Sequence, residues 1–214
     1  MKKRIIFDQD NTLVSWLEEN WNTLDETFMK LNMQITKEDK QSIIECINSY
    51  EKSYNKYVKE DMYIYINKKL NKTLPESWID VWLDQLSNRY AILEPNTKDI
   101  LNYLKEKYEL VILTNWFSSS QINILKKLKI LDYFDEIIGT DEVLNKPNKE
   151  AFLRACGNHN IEECLMIGDN YKVDILGALD MGMDAIWYNP KHNKLTEKRK
   201  MIEIDNLDQL KKYL

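Results

Sequence analysis

From Pro95 onward the chain alternates short aliphatic and β-branched runs with segments of helical period, and this alternation constrains the fold more than any other feature. Candidate strands lie at residues 109–114, 135–139, 164–169 and 184–189. Helical patterns occupy 97–107, 118–128, 149–156 and 173–181, before or between them. Strands separated by helices pair in parallel and are covered on both faces. Right-handed crossovers then bring the carboxyl ends of all strands to one edge. A further buried strand is expected at residues 3–9, where Ile5-Ile6-Phe7 gives way abruptly to polar residues. A short strand at 201–204 and a closing helix from about Leu207 finish the chain.

Between the first strand and this α/β stretch the composition changes. Residues 15–90 contain no glycine and one proline, Pro75. Apolar residues recur there at helical spacing, as in Trp21, Leu24, Phe28 and Leu31, and again in Ile43, Ile44, Ile47, Tyr50, Tyr54 and Tyr57. Thr36, followed by Lys37, Glu38 and Asp39, is an N-cap with acidic residues in the first turn. Trp78, Val81, Trp82 and Leu86 share one face of another helix. The expected fold is therefore α/β, a Rossmann-like parallel-sheet core built from residues 1–14 and 92–214 and interrupted by an all-helical insert, 15–91.

A net charge of −5 argues against a general nucleic-acid binder, which presents a basic face. Cys46, Cys156 and Cys164 form no CxxC pair and read as free thiols in a reducing compartment. The apolar run after Met1-Lys2-Lys3-Arg4 is too short for a signal peptide, and no segment approaches transmembrane length. The chain reads as cytoplasmic, with no membrane partner, and as a monomer or homodimer.

In an open parallel sheet, ligands bind outside the carboxyl ends of the strands, near the point where strand order reverses. Asp8 and Asp10 follow the first strand, and Thr114 and Asn115 end the strand at 109–114. Lys146, with Pro147 behind it, precedes the helix at 149–156. Gly168 and Asp169 end the strand at 164–169, and Asp174 lies five residues beyond Asp169. Four carboxylates converging on one edge repel one another unless a cation sits among them. An all-oxygen set suits Mg²⁺ and not a soft metal. A carboxylate beside Mg²⁺ and a lysine is equipped to attack phosphorus.

These four segments resemble the four motifs of the haloacid dehalogenase-like (HAD) hydrolase superfamily, in the same order. Asp8-Gln9-Asp10-Asn11-Thr12 is similar to its DxDx[TV], Thr114 to its strand-end Thr/Ser, Lys146 to its lysine and Gly168-Asp169 through Asp174 to its GDxxxxD. The insert stands where the family carries its type C1 cap. The resemblance implies that Asp8 is the nucleophile and a metal ligand, and that Asp10 is the proton donor and then the base, its backbone carbonyl also reaching the metal. It implies that Thr114 and the backbone amide of Asn115 hold phosphate oxygens, that Lys146 stabilises the phosphorylated aspartate, that Asp169 binds Mg²⁺ directly and that Asp174 supports the metal or Lys146.

Dehalogenases of the family lack the second acid of the first motif, so Asp10 favours phosphoryl chemistry, where a leaving alkoxide needs a proton. Asn11 stands where many members have Gly, and Gln9 where an apolar residue is usual. The implied activity is a Mg²⁺-dependent phosphohydrolase acting on a small phosphorylated metabolite such as a nucleotide, a sugar phosphate or phosphoglycolate. The alternatives are a phosphomutase with the same residues, a phosphoacceptor domain, or a silent protein that keeps the fold. Trp116 and Phe117 are placed to wall the site. Trp21 is the cap aromatic best placed to stack on a base or sugar.

Overall fold

The computed structural model describes residues 1–17, 20–70, 72–89, 91–195 and 199–214, with only the backbone given at residues 20–22. The first strand, β1 (Arg4–Phe7), is buried along its whole length. A short strand, β2 (Val14–Trp16), leads into four helices: α1 (Asn20–Lys30), α2 (Lys37–Ser53), α3 (Lys59–Lys69) and α4 (Trp78–Ser87). The chain returns through β3 (Ala91–Leu93) to α5 (Thr97–Lys105), β4 (Glu109–Leu113), α6 (Ser118–Lys127), β5 (Glu136–Ile138), α7 (Lys149–Cys156) and β6 (Cys164–Gly168). A π-helical turn, Tyr171–Leu176, runs into the short α8 (Gly177–Leu179), followed by β7 (Asp184–Tyr188), β8 (Ile202–Ile204) and a closing 3₁₀ segment, Leu207–Lys212.

The main sheet has six strands in the order β5-β4-β1-β6-β7-β8, and every pairing within it is parallel. The expected α/β class and parallel sheet are borne out. β1 is central because Ile5, Ile6 and Phe7 can be buried from both faces. Ile5 and Phe7 pack with Leu101, Leu104 and Ile112 on one side, and Ile6 with Phe152, Ala155 and Met166 on the other. Chain order runs outward from β1 to β4 and β5, then crosses back to β6 on its other flank. The reversal therefore falls at the ends of β1, β4 and β6.

The helical insert differs from expectation at its ends. Residues 14–16 and 91–93 pair as an antiparallel ribbon, with Val14 opposite Leu93 and Trp16 opposite Ala91. The insert is thus joined to the core by two short strands, which are too short to give a readable alternation in sequence. Thr36 does cap α2: its hydroxyl accepts from Asp39 N while Asp39 receives from Thr36 N, a reciprocal capping box. The helical spacing of Ile43 through Tyr57 ends earlier than expected, because α2 stops at Ser53. Tyr57 instead packs against Trp116 and Phe117 from a connecting segment. The insert has its own core of Phe28, Ile43, Tyr50, Met62, Trp78 and Trp82, which Phe117 of the α/β unit enters. The three cysteines are free and buried. Among the described residues, no helix is long and apolar enough to cross a membrane.

Candidate active site

Beyond β1 the chain leaves the sheet at Asp8 and turns tightly. Asn11 takes a left-handed backbone, φ 63°, which asparagine adopts more readily than other non-glycine residues. The turn is held by Leu13 N and Val14 N donating to Gln9 O at 2.9 and 3.0 Å, and by Asn11 N donating to Val14 O at 2.7 Å. Asp8 and Asp10 are thereby carried to the sheet edge. Thr12 Oγ1 lies 3.3 Å from Asp8 Oδ2 and 3.3 Å from Asp169 Oδ1, between two carboxylates of different strands.

At the end of β6 the π-helical turn swings Asp174 back toward the sheet. Asn170 N donates to Asp174 Oδ2 at 3.0 Å. A Cβ on Gly168 would stand 2.4 Å from Asp174 Oδ2, so only glycine lets this carboxylate lie against the strand end. Lys146, 2% exposed, projects into the same space. Its Nζ is 2.7 Å from Asp8 Oδ1 and 2.8 Å from Asp174 Oδ1. Asn115 fixes the Lys146 loop with its side chain: Lys146 N donates to Asn115 Oδ1 at 2.7 Å, and Asn115 Nδ2 donates to Lys146 O at 2.9 Å. The sequence pointed to this residue for its backbone amide and gave no sign of the side-chain clamp.

One carboxylate oxygen from each of Asp8, Asp169 and Asp174 lies within 4.8 Å of the others. Burial, then the charges of Asp8 and Asp174, push the Asp169 carboxyl up to about 7. Burial raises Asp174 as well, although Lys146 pulls in the other direction. Burial by itself lowers the Lys146 ammonium, but Asp174 and Asp8 outweigh it and hold the group above its ordinary value. One lysine thus leaves three clustered carboxylates undercompensated, and a hard divalent cation fits this donor set.

The Asp10 carboxyl is held apart from that cluster. Trp16 Nε1 donates to its Oδ1 at 2.7 Å and Gln121 Nε2 to its Oδ2 at 2.6 Å. Burial first, then the charge of Asp8, push Asp10 up to about 6. With both carboxylate oxygens engaged and outside the group of three, Asp10 could reach a metal through its backbone carbonyl. Gln121 Nε2 also lies 3.1 Å from Thr114 Oγ1, and Gln9 Nε2 donates to Gln121 Oε1 at 2.5 Å. Gln9 is fully buried beneath the site. Trp16 and Gln121 were not legible as site residues, since an isolated strand tryptophan and a helical glutamine carry no distinguishing spacing.

Above Asp10 a cavity of about 460 Å³ lies between the insert and the α/β unit. Its walls include Leu24, Ile44 and Ile47 from the insert, Trp16 from the ribbon, and Trp116 and Ile124 from the core. Trp116 walls the site as expected, whereas Phe117 is spent in the insert's own core. The side chain of Trp21 lies outside the described residues.

Residues 5–188 match the family described as haloacid dehalogenase-like hydrolase. The chain belongs to that family. Among similar proteins, a pyrimidine 5'-nucleotidase of Escherichia coli is 29% identical over 209 residues, covering 90% of this chain and 88% of that protein. A glyceraldehyde 3-phosphate phosphatase of Methanothermobacter thermautotrophicus is 36% identical over 141 residues, covering 59% of this chain and 61% of that one. The crystal structure of a HAD phosphatase from Thermococcus onnurineus superposes with a TM-score of 0.69 at 26% identity, covering 100% of this chain and 97% of that chain.

Proposed function

We propose that this HAD protein hydrolyses the phosphate ester of a small metabolite through a phosphoryl group carried on Asp8. The observation that carries the reading is the placement of Asp8 on Lys146 at 2.7 Å, with the separately held Asp10 carboxyl opening on the cavity. The similar nucleotidase and phosphatase named above support the reaction class.

An Asp8 oxygen attacks phosphorus while the bond from phosphorus to the leaving oxygen breaks, and protonated Asp10 gives its proton to that oxygen. A carboxyl raised to about 6 keeps roughly a tenth of its molecules protonated at pH 7, far more than an ordinary aspartate, which favours this step. Ionised Asp10 then takes a proton from the water that attacks the phosphoryl group, and the bond from phosphorus to Asp8 breaks to release orthophosphate. Lys146 neutralises charge on Asp8 and on the phosphoryl group. Thr114 Oγ1 and the backbone amide of Asn115 are assigned to hold the transferred oxygens. Asp8, Asp169 and the Asp10 carbonyl, with Asp174 in support, would hold Mg²⁺, which would supply further charge neutralisation. The insert forms one wall of the cavity that opens on Asp10 and so limits the approach of water to the reacting groups.

The test is phosphate release from acetyl phosphate and p-nitrophenyl phosphate, with and without Mg²⁺. Wild-type turnover that needs Mg²⁺, together with a loss of roughly 10³-fold or more in Asp8→Asn, is expected. Turnover that survives Asp8→Asn, or proceeds equally with chelator, overturns the reading.

A further inference from the structure

The proposed phosphatase leaves its substrate unnamed, and the cavity above Asp10 carries information on that point. Its volume of about 460 Å³ lies within the roughly 300–1,000 Å³ typical of ligand pockets. A two- or three-carbon phosphate would leave most of that space to water. Its lining is mixed, with Arg89, Ser120 and Gln121 facing the space beside the aromatic and aliphatic residues. The insert contributes polar groups from two places: Arg89, just beyond α4 and stacked over the Trp16 ring, and a pair on α2. α2 presents Ile44, Ile47, Asn48 and Glu51 to the cavity, a single helical stripe at i, i+3, i+4 and i+7. Asn48 and Glu51 are one turn apart on it and so can reach the same ligand edge. Trp82 forms wall on α4, and its indole N–H is buried without a hydrogen-bond partner. Rings of Trp16 and Trp116 line the same space.

A ligand with two apolar faces and a polar rim matches this distribution, because its faces pack on aromatic and aliphatic walls while its rim meets one set of donors and acceptors. Resting on the phosphatase reading above, we propose that the substrate is a nucleoside monophosphate whose base enters the cap cavity, with Asn48 and Glu51 reading the polar edge of the base. Burial pushes the Glu51 carboxyl up to about 7, so near neutral pH it can both donate and accept. A carboxamide and such a carboxyl together complement the adjoining donor and acceptor groups of a base edge. Asn48 and Glu51 are specificity determinants here; the phosphoryl chemistry stays with Asp8.

The test compares kcat/KM for UMP, CMP and AMP with that for glucose 6-phosphate, phosphoglycolate and acetyl phosphate in wild type, Glu51→Gln, Glu51→Leu and Asn48→Ala. A nucleotide is expected to lead the panel. The ratio of its kcat/KM to that of acetyl phosphate is expected to fall about tenfold in Glu51→Leu, as the loss of one well-made hydrogen bond implies, with most of the change in KM. Glu51→Gln keeps the shape and is expected to re-rank the bases. Asn48→Ala, at an exposed helix position, provides a second variant that folds if Glu51→Leu does not.

If wild type hydrolyses acetyl phosphate but a sugar phosphate or phosphoglycolate leads, the nucleotide inference falls and the phosphatase reading stands. The inference also falls if the ratio is unmoved in all three variants. If wild type hydrolyses nothing in the panel, the phosphatase reading itself fails.

Discussion

Asp8 has one cation, Lys146, and three carboxylates, Asp10, Asp169 and Asp174, around it, and small displacements there change which charge it feels. Lys146 bridges Asp8 and Asp174 with both contacts under 3 Å, so the position of Asp174 sets the position of Lys146. Gly168 is the residue that allows it. A methyl group there meets Asp174 Oδ2, Cγ and Cβ at 2.4–2.7 Å, inside any tolerable contact. Gly168→Ala is therefore expected to displace Asp174 and lower kcat by about tenfold or more, equivalent to roughly 1.4 kcal/mol or more of transition-state stabilisation. Steady-state kinetics check it, with circular dichroism showing that the fold persists; an unchanged kcat contradicts it. Asp8, Asp10, Lys146 and Asp169 were singled out in sequence because they stand at strand ends or before a helix and resemble the four HAD motifs in order. Gln121 was not, although it touches both Asp10 and Thr114. A glutamine in a helical run has many other uses, and only the packing of α6 against the site selects this one.

At the scale of elements, the two-stranded ribbon is the feature that sequence periodicity missed. β2 and β3 have three residues each, too few to show alternation, and they join the insert to the core. β2 also carries Trp16, whose indole holds Asp10 at 2.7 Å, so the ribbon links the position of the insert to the orientation of the proton donor. Trp16→Phe keeps a ring in the cavity wall and removes the donor. It is expected to reduce kcat several-fold to tenfold, about 1 kcal/mol, with a smaller effect on KM. A change confined to KM would show that the ring acts only as wall.

α2 offers a prediction of a different kind. Burial raises the Glu51 carboxyl from its ordinary 4.5 to about 7, with Lys52 offsetting part of the shift. The folded chain therefore binds this proton more tightly than the unfolded chain. Its contribution to stability is complete below about 4.5 and is lost as pH rises through about 7. Glu51→Gln cannot lose a proton, so between pH 5 and pH 8 it is expected to gain stability relative to wild type, on the order of 1 kcal/mol after solvent screening. Urea midpoints of the two proteins at the two pH values measure the difference. The same offset at both pH values contradicts the assignment.

In the whole molecule, the insert and the α/β unit meet through more than the ribbon. Tyr57 N donates to Thr140 O at 3.0 Å, Asn145 N donates to Asn55 O at 2.6 Å, and Ser87 and Ser120 place their hydroxyls 3.3 Å apart. These contacts hold the insert beside the cavity over Asp10. The existence of the insert was readable from its glycine-free, helix-period stretch. Which of its faces meets the core was not readable, because an apolar stripe such as that of α2 does not name its neighbour. The six-stranded sheet was largely legible for the opposite reason. Continuous aliphatic strands separated by helices leave few ways to pair, and right-handed crossovers fix the edge on which Asp8, Thr114, Lys146 and Asp169 assemble.

That assembly makes Asp8 the centre of the account, and a trapped enzyme intermediate tests it most directly. Wild-type protein mixed with Mg²⁺ and a turned-over phosphate ester, quenched in acid within the first turnovers and digested, is expected to carry a phosphoryl group on the peptide containing Asp8. The Asp8→Asn protein is expected to carry none. A phosphoryl group found on another residue, or rapid turnover with Asp8 never modified, would contradict the mechanism.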